Sequence, residues 1–152
     1  MEISGVYQRF RVLNELYFDG LFPDDLKISL SRRLYRKAGI CLFQVINGIV
    51  RPIEIRLSSK YLELYPDDLE NVLLHELIHL KLGHINHDNS FVEELQRLNK
   101  KYGLHIRVKG KPLFFKYGCK ICGKEYLVCE KIKDLSSYVC SVCFSKIEEI
   151  GG

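Results

Sequence analysis

Nowhere in this chain is there an apolar run long enough to cross a bilayer, and Met1 to Phe10 carries polar residues throughout, without the unbroken apolar stretch of a secretion signal. These absences exclude a membrane-spanning helix and lead to the expectation of a soluble, cytosolic protein. Internal repeats and low-complexity segments are also missing, so solenoids and disordered tracts are excluded. Without a secretion signal, the six cysteines are expected to be reduced, and the Cys-x-x-Cys pairs among them read as metal ligands rather than disulfides. What is present is a chain of 152 residues, 47% hydrophobic and 11% aromatic, enough for one ordinary domain with a small appendage.

The net charge of +4 is unevenly placed. Residues 1–99 hold 12 Lys and Arg against 14 Asp and Glu, whereas residues 100–152 hold 11 against 5. The basic C-terminal third suits an anionic partner, nucleic acid first.

Apolar residues Val6, Phe10, Leu13, Leu16 and Tyr17 recur at three- and four-residue spacing and predict an amphipathic helix over 4–18, stopped by Asp19-Gly20. Leu26 to Leu30 alternates as a half-buried strand. Residues 38–46 and 49–57 are two β-forming runs joined by Asn47-Gly48, which favours a type I′ hairpin turn, and Pro52 places the second run, or at least its outer side there, at a sheet edge. A short helical turn through Tyr61 and Leu64 follows. Asp67, with Glu70 three residues on, reads as the N-cap of a helix ending at Gly83, and Ser90 with Glu93 opens another that runs to about Tyr102. Residues 104–108 read as a short strand, and Lys109-Gly110-Lys111-Pro112 has linker composition.

The chemistry centres on His75-Glu76-Leu77-Ile78-His79. On a helix, residues four apart share a face, so His75 and His79 can offer two imidazoles to one zinc with Glu76 beside them as a free carboxylate. Leu69, Val72, Leu73, Leu77, Leu80 and Leu82 leave this helix little water-facing surface, so a merely solvated set of histidines would sit badly there. A catalytic zinc needs a third protein ligand, and the loop after Gly83 can supply His84 or His87, with His105 more remote. Three neutral imidazoles would let zinc acidify its water to a pKa of roughly 7, and Glu76 would serve as general base. A metzincin would have Gly at position 82 and His at 85; Leu82 and Ile85 exclude that class.

Cys119-x-x-Cys122 and Cys140-x-x-Cys143 fit a four-thiolate structural zinc that staples a segment too short to fold by burial alone. Cys129 reads as a strand residue and Cys41 as a small buried one. Lys109, Lys111, Lys116, Lys120 and Lys124 are interleaved with Phe114, Phe115 and Tyr117, a composition suited to single-stranded nucleic acid, with lysines on phosphates and rings on bases.

Taken together, Leu13 to Gly20, Ala38-Gly39-Ile40-Cys41, Ile55-Arg56-Leu57-Ser58, Leu73 to His79 and His87 followed four residues later by Phe91 resemble the SprT-like metalloprotease family, with Asp88 standing where many members have glycine. The resemblance implies His87 as the third zinc ligand, with His84 as the alternative. It also implies an α+β, zincin-like protease domain of helices on a small, mostly antiparallel sheet over residues 1–106. A linker over 107–112, a zinc ribbon over 113–147 and a tail over 148–152 would follow. Two zinc ions are expected, one catalytic and one structural. The implied activity is cleavage of proteins on DNA, including crosslinked ones, with DNA, preferably single-stranded, as tether and activator, and with nucleoid association in a prokaryotic source. The competing readings are a nucleic-acid-binding adaptor that no longer cuts and a general metallopeptidase whose ribbon contacts protein.

Overall fold

The computed structural model describes residues 1–150, which form two compact units, Met1–Lys111 and a second beginning at Pro112. In the first, α1 (Ile3–Phe18) buries Val6, Phe10, Leu13 and Phe18. Leu16, expected inside, is 55% exposed; its place on the buried face is taken by Asn14, whose amide donates to the Phe22 carbonyl at 2.8 Å and accepts from the Phe22 N–H at 3.2 Å. A side chain that satisfies both backbone groups of a returning loop is worth burying despite its polarity. Periodicity alone does not reveal that use.

The chain then enters a mixed three-stranded sheet of β1 (Lys27–Ser31), β2 (Gly39–Ile46) and β3 (Ile49–Ser58), in the order β1-β3-β2. β2 and β3 are the expected hairpin, with Asn47 and Gly48 both at positive φ, 49° and 75°. β3 as a whole is central, not an edge strand, but its outer side at Pro52 is open, as expected. Its parallel partner β1 covers only Glu54 to Ser58, so Pro52 lies beyond that ladder, and on the other side the pairing with β2 shifts register between Leu42 and Phe43, at the proline. The missing donor is thus accommodated by a short neighbour and a local irregularity. The free edge beside the main helix belongs to β2.

After α2 (Ser59–Leu64) and a 3-10 turn over Pro66–Asp68 comes α3 (Leu69–Leu82), the central helix, packed on β2, β3, α1 and α4 (Asn89–Tyr102). Leu73, Leu77, Ile78 and Leu80 are almost wholly buried, each contributing roughly 1.5–3 kcal/mol of transfer energy. Asp67 does not cap α3, because the 3-10 turn moves the helix start to Leu69; Asp68 occupies the cap position and makes no side-chain cap bond. Nor does Ser90 cap α4. That position is held by Asp88, which accepts from the Phe91 N–H at 3.2 Å. Residues 104–108 form no strand, and residues 105–111, expected in part as a linker, are bonded instead to α2, α3 and α4 of this unit.

The second unit is a three-stranded antiparallel sheet in the order β5-β4-β6, from β4 (Phe115–Cys119), β5 (Glu125–Val128) and β6 (Ile147–Ile150). Residues 148–150, expected as tail, belong to β6 and pair with β4; 151–152 lie outside the described residues. No described helix is long and apolar enough to cross a membrane.

Candidate metal centre

β2 and α3 approach closely because Gly39 carries no side chain: a Cβ there would lie 3.0 Å from Val72 Cγ1, 3.2 Å from the Arg56 carbonyl and 3.4 Å from Glu76 Cγ. That approach places Glu76, 5% exposed, beside the sheet, with the buried Cys41 thiol hydrogen-bonded to its carboxylate. Burial raises the Glu76 pKa to about 7, with the Cys41 hydrogen bond and the Lys37 charge pulling against it. The same burial, together with the facing Glu76 charge, pushes the Cys41 thiol far up.

His75 and His79 project from one face of α3, and Gly83, in the left-handed region at φ 73°, turns the chain so that His87 comes back over them. The three Nε2 atoms lie 3.1 Å from one another pairwise. Nδ1 of His75 donates to the Arg107 carbonyl and Nδ1 of His79 to the His84 carbonyl, each at 3.0 Å. A carbonyl can only accept, so both protons sit on Nδ1 and the Nε2 lone pairs point at each other. Converging lone pairs repel unless a cation lies between them. Tetrahedral zinc at 2.0–2.1 Å from each nitrogen would set them about 3.3 Å apart, so these residues fit that ion.

Beneath the cluster lies Phe91, fully buried, its ring centroid 4.4 Å from His79 at 28°, 4.9 Å from His75 and 4.8 Å from His87. Burial lowers all three imidazole pKa values, that of His79 to about 4 with help from His75, and so keeps them neutral and available as ligands. His84 lies outside the cluster. Its ring is 2.9 Å from Ser90 Oγ, and it serves the site through its carbonyl. His105 contributes only its carbonyl, to Asn71 at 2.7 Å.

In the second unit, Cys119, Cys122, Cys140 and Cys143 converge, with Sγ separations of 3.2 Å for Cys119–Cys143 and 3.5 Å for Cys122–Cys140. The two pairs sit on matching knuckles. Cys119 accepts from the Gly123 N–H and Cys140 from the Phe144 N–H, each at 2.9 Å, with Gly123 at φ 75° and Phe144 at φ 61°. The Tyr126 hydroxyl donates to Cys140 Sγ at 3.3 Å and, with neighbouring backbone, lowers that thiol's pKa to about 6. Four convergent sulfurs, one already biased to thiolate, suit a soft divalent ion. Cys129 is exposed just past β5 and outside the cluster.

Lys109, Lys111, Lys116, Lys120 and Lys124 are all exposed, although Lys120 pairs with Glu148 at 3.1 Å. Phe115 and Tyr117 are corrected as base-stacking candidates: they are 3% and 0% exposed, and the Tyr117 hydroxyl accepts from the Ile132 N–H. Strand alternation sends them inward while Lys116 faces out. Phe114 is half-buried. Sequence reasoning missed Phe144, 75% exposed although bulky and left-handed. Its signal was available, since it follows Cys143 as Gly123 follows Cys122, where glycine is favoured.

Residues 6–110 match the family model described as the SprT-like family. The chain is 33% identical over 107 residues to the DNA-dependent metalloprotease SPRTN of Xenopus tropicalis, covering 65% of this chain and 24% of that protein. It is 33% identical over 115 residues to the Homo sapiens SPRTN, covering 70% and 22%, and over 90 residues to the DNA-dependent metalloprotease dvc-1 of Caenorhabditis elegans, covering 54% and 24%. The chain therefore spans about a quarter of the length of these relatives. Among solved structures, the metallopeptidase zymogen of Pyrococcus abyssi abylysin overlaps with a TM-score of 0.43 at 19% identity, over 67% of this chain and 99% of that one.

Proposed function

Because the chain belongs to the SprT-like family, we propose that it is a zinc-dependent endopeptidase that cleaves DNA-associated proteins, with DNA as activator. The observation that carries the reading is the convergence of the Nε2 atoms of His75, His79 and His87 at 3.1 Å from one another, beside a buried carboxylate. His75, His79 and His87 would hold the ion, and Cys119, Cys122, Cys140 and Cys143 a second one in a zinc ribbon. When bound, the catalytic zinc supplies Lewis acidity, polarising a peptide carbonyl and acidifying water.

Glu76 does the proton work. With its pKa near 7, its carboxylate can take a proton from the attacking water and return it to the leaving amine at neutral pH. The apolar wall of α3 around it keeps that carboxylate from being solvated into an ordinary acid. Cys41, donating to the same carboxylate, limits its rotation. The outer edge of β2 is unpaired by any described strand, so an extended substrate can add to it by main-chain hydrogen bonds and run past the three imidazoles.

For the DNA side, support comes from the basic excess over residues 100–152, which falls mostly at the end of the first unit, and from the names of the relatives, DNA-dependent metalloproteases. Lys116, Lys120 and Lys124 would contact phosphates, and the exposed ring of Phe144 would stack on a base in place of the buried Phe115 and Tyr117. The test is incubation with a DNA-binding protein substrate, with and without single-stranded DNA, beside Glu76→Gln. Cleavage by the wild type only with DNA, and none by Glu76→Gln that still holds zinc, is expected. Full proteolysis by Glu76→Gln would sink the role given to that carboxylate. DNA-independent cleavage would make it a general peptidase, and no cleavage at all an adaptor.

A further inference from the structure

Asp68 is 6% exposed, adjoins the metal helix and caps nothing, so its buried carboxylate has no role in the chemistry described above. It accepts from the Tyr61 hydroxyl at 2.5 Å and from Arg107 Nη2 at 2.7 and 2.6 Å. Asp68, Asn71 and His75 follow one another by three and four residues and so form a single stripe along the start of α3. Each member of the stripe grips residues 105–107. Asn71 donates to the His105 carbonyl at 2.7 Å and accepts from the Arg107 N–H at 3.1 Å; His75 Nδ1 donates to the Arg107 carbonyl at 3.0 Å. Arg107 therefore spends its N–H, its carbonyl and its side chain on the same stripe. Beyond it, the Lys111 N–H donates to the Tyr61 hydroxyl at 2.9 Å, which closes the strap back onto Asp68 through Tyr61.

Resting on the zinc reading of the three imidazoles, we infer that Asp68 and Arg107 are positioning residues for the metal ligand His75, through an irregular strap whose Arg107 carbonyl sets the tautomer and angle of the His75 ring. The physical need is plain. A segment without regular secondary structure has no ladder to fix its carbonyls, so a carbonyl used to orient a ligand must be fixed from elsewhere. His79 needs no such device, because its orienting carbonyl, that of His84, follows directly on the Gly83 turn of the same helix. The buried Asp68 carboxylate, bridged by one Nη2, anchors the side chain of the residue whose carbonyl does the orienting. Neither Asp68 nor Arg107 is a member of the converging imidazole cluster.

The experiment uses the full chain, stripped of metal and then given one equivalent of zinc for the four-cysteine site. The imidazole site is titrated with zinc against a chromophoric chelator. Asp68→Asn and Arg107→Lys are expected to weaken that second zinc about 10- to 100-fold, the usual reach of outer-shell partners. Proton–nitrogen spectra of the imidazoles should show His75 losing its single Nδ1–H tautomer in both variants while His79 keeps its own. Asn14→Ala, which unpins the α1 loop far along the chain, should lower the melting temperature without either change. Should Asp68→Asn fail to fold, Arg107→Lys, which keeps the charge, and Asn71→Ala still decide the matter. Zinc affinity within twofold of wild type in folded strap variants, with His75 unchanged, would overturn the inference. A wild type that binds no second zinc, or one whose binding survives His87→Ala, would overturn the metal reading itself and the inference with it.

Discussion

Replacing Phe91 by alanine is the sharpest perturbation of the centre that leaves every ligand in place. The ring is fully buried, stacked on His79 at 4.4 Å and in contact with His75 and His87. Truncating a buried phenylalanine costs about 3–5 kcal/mol in lost transfer energy and residual cavity. Loss of the aromatic contacts falls within that range, because a pair is worth only about 0.5–1.5 kcal/mol beyond its burial. For a unit of this size, roughly 4 °C in melting temperature accompanies each kcal/mol, so the metal-free variant should melt about 12–20 °C below wild type by circular dichroism. Zinc affinity should fall as well, since the imidazoles lose the surface that holds their angles. Phe91→Leu separates the two effects: most of the volume returns, so stability should largely recover, whereas the flat face does not, so zinc affinity should not. If Phe91→Ala melts within a few degrees of wild type, or binds zinc as tightly, the ring is not the floor of the site and this reasoning fails.

The metal-free protein should lose stability on mild acidification. His79 titrates ordinarily at 6.5 and is held to about 4 by burial, so between those values the unfolded chain binds more protons and stability falls with pH. His79 alone accounts for about 2 kcal/mol between pH 7.5 and 5, and His75 and His87 shift the same way; urea titrations of metal-free protein that show no such loss would refute it. Gly83→Ala should cost at least about 2 kcal/mol, because its φ is +73° and the new Cβ would lie 2.4 Å from Val50 Cγ2. Adding Val50→Ala should recover part of that loss and leave the backbone strain, and full additivity in the double-mutant cycle would count against the clash.

Much of the site was legible because it is local. His75, Glu76 and His79 follow from helical spacing, Gly83 from the need for a left-handed stop, and the Cys-x-x-Cys pairs from knuckle geometry. The hairpin was legible for the same reason, since Asn47-Gly48 carries its own conformational preference. Asp68 was not. Its neighbour Asp67 had the better cap spacing, and nothing near it in sequence announces a partner such as Arg107, 39 residues away. Phe115 and Tyr117 misled because a strand's two faces look alike until a core is chosen for one of them.

The sequence by itself therefore determined the candidate ligand types, the helix that carries two of them, the carboxylate between them and the four-cysteine cluster, all set by backbone periods of a few residues. Only the tertiary structure decided that His87 and not His84 turns inward, that β2 rather than β3 offers the free edge, and that a strap from residues 105–111 orients His75. Those outcomes depend on which groups find partners across long separations, and a buried donor or acceptor is satisfied only by what the completed fold brings to it.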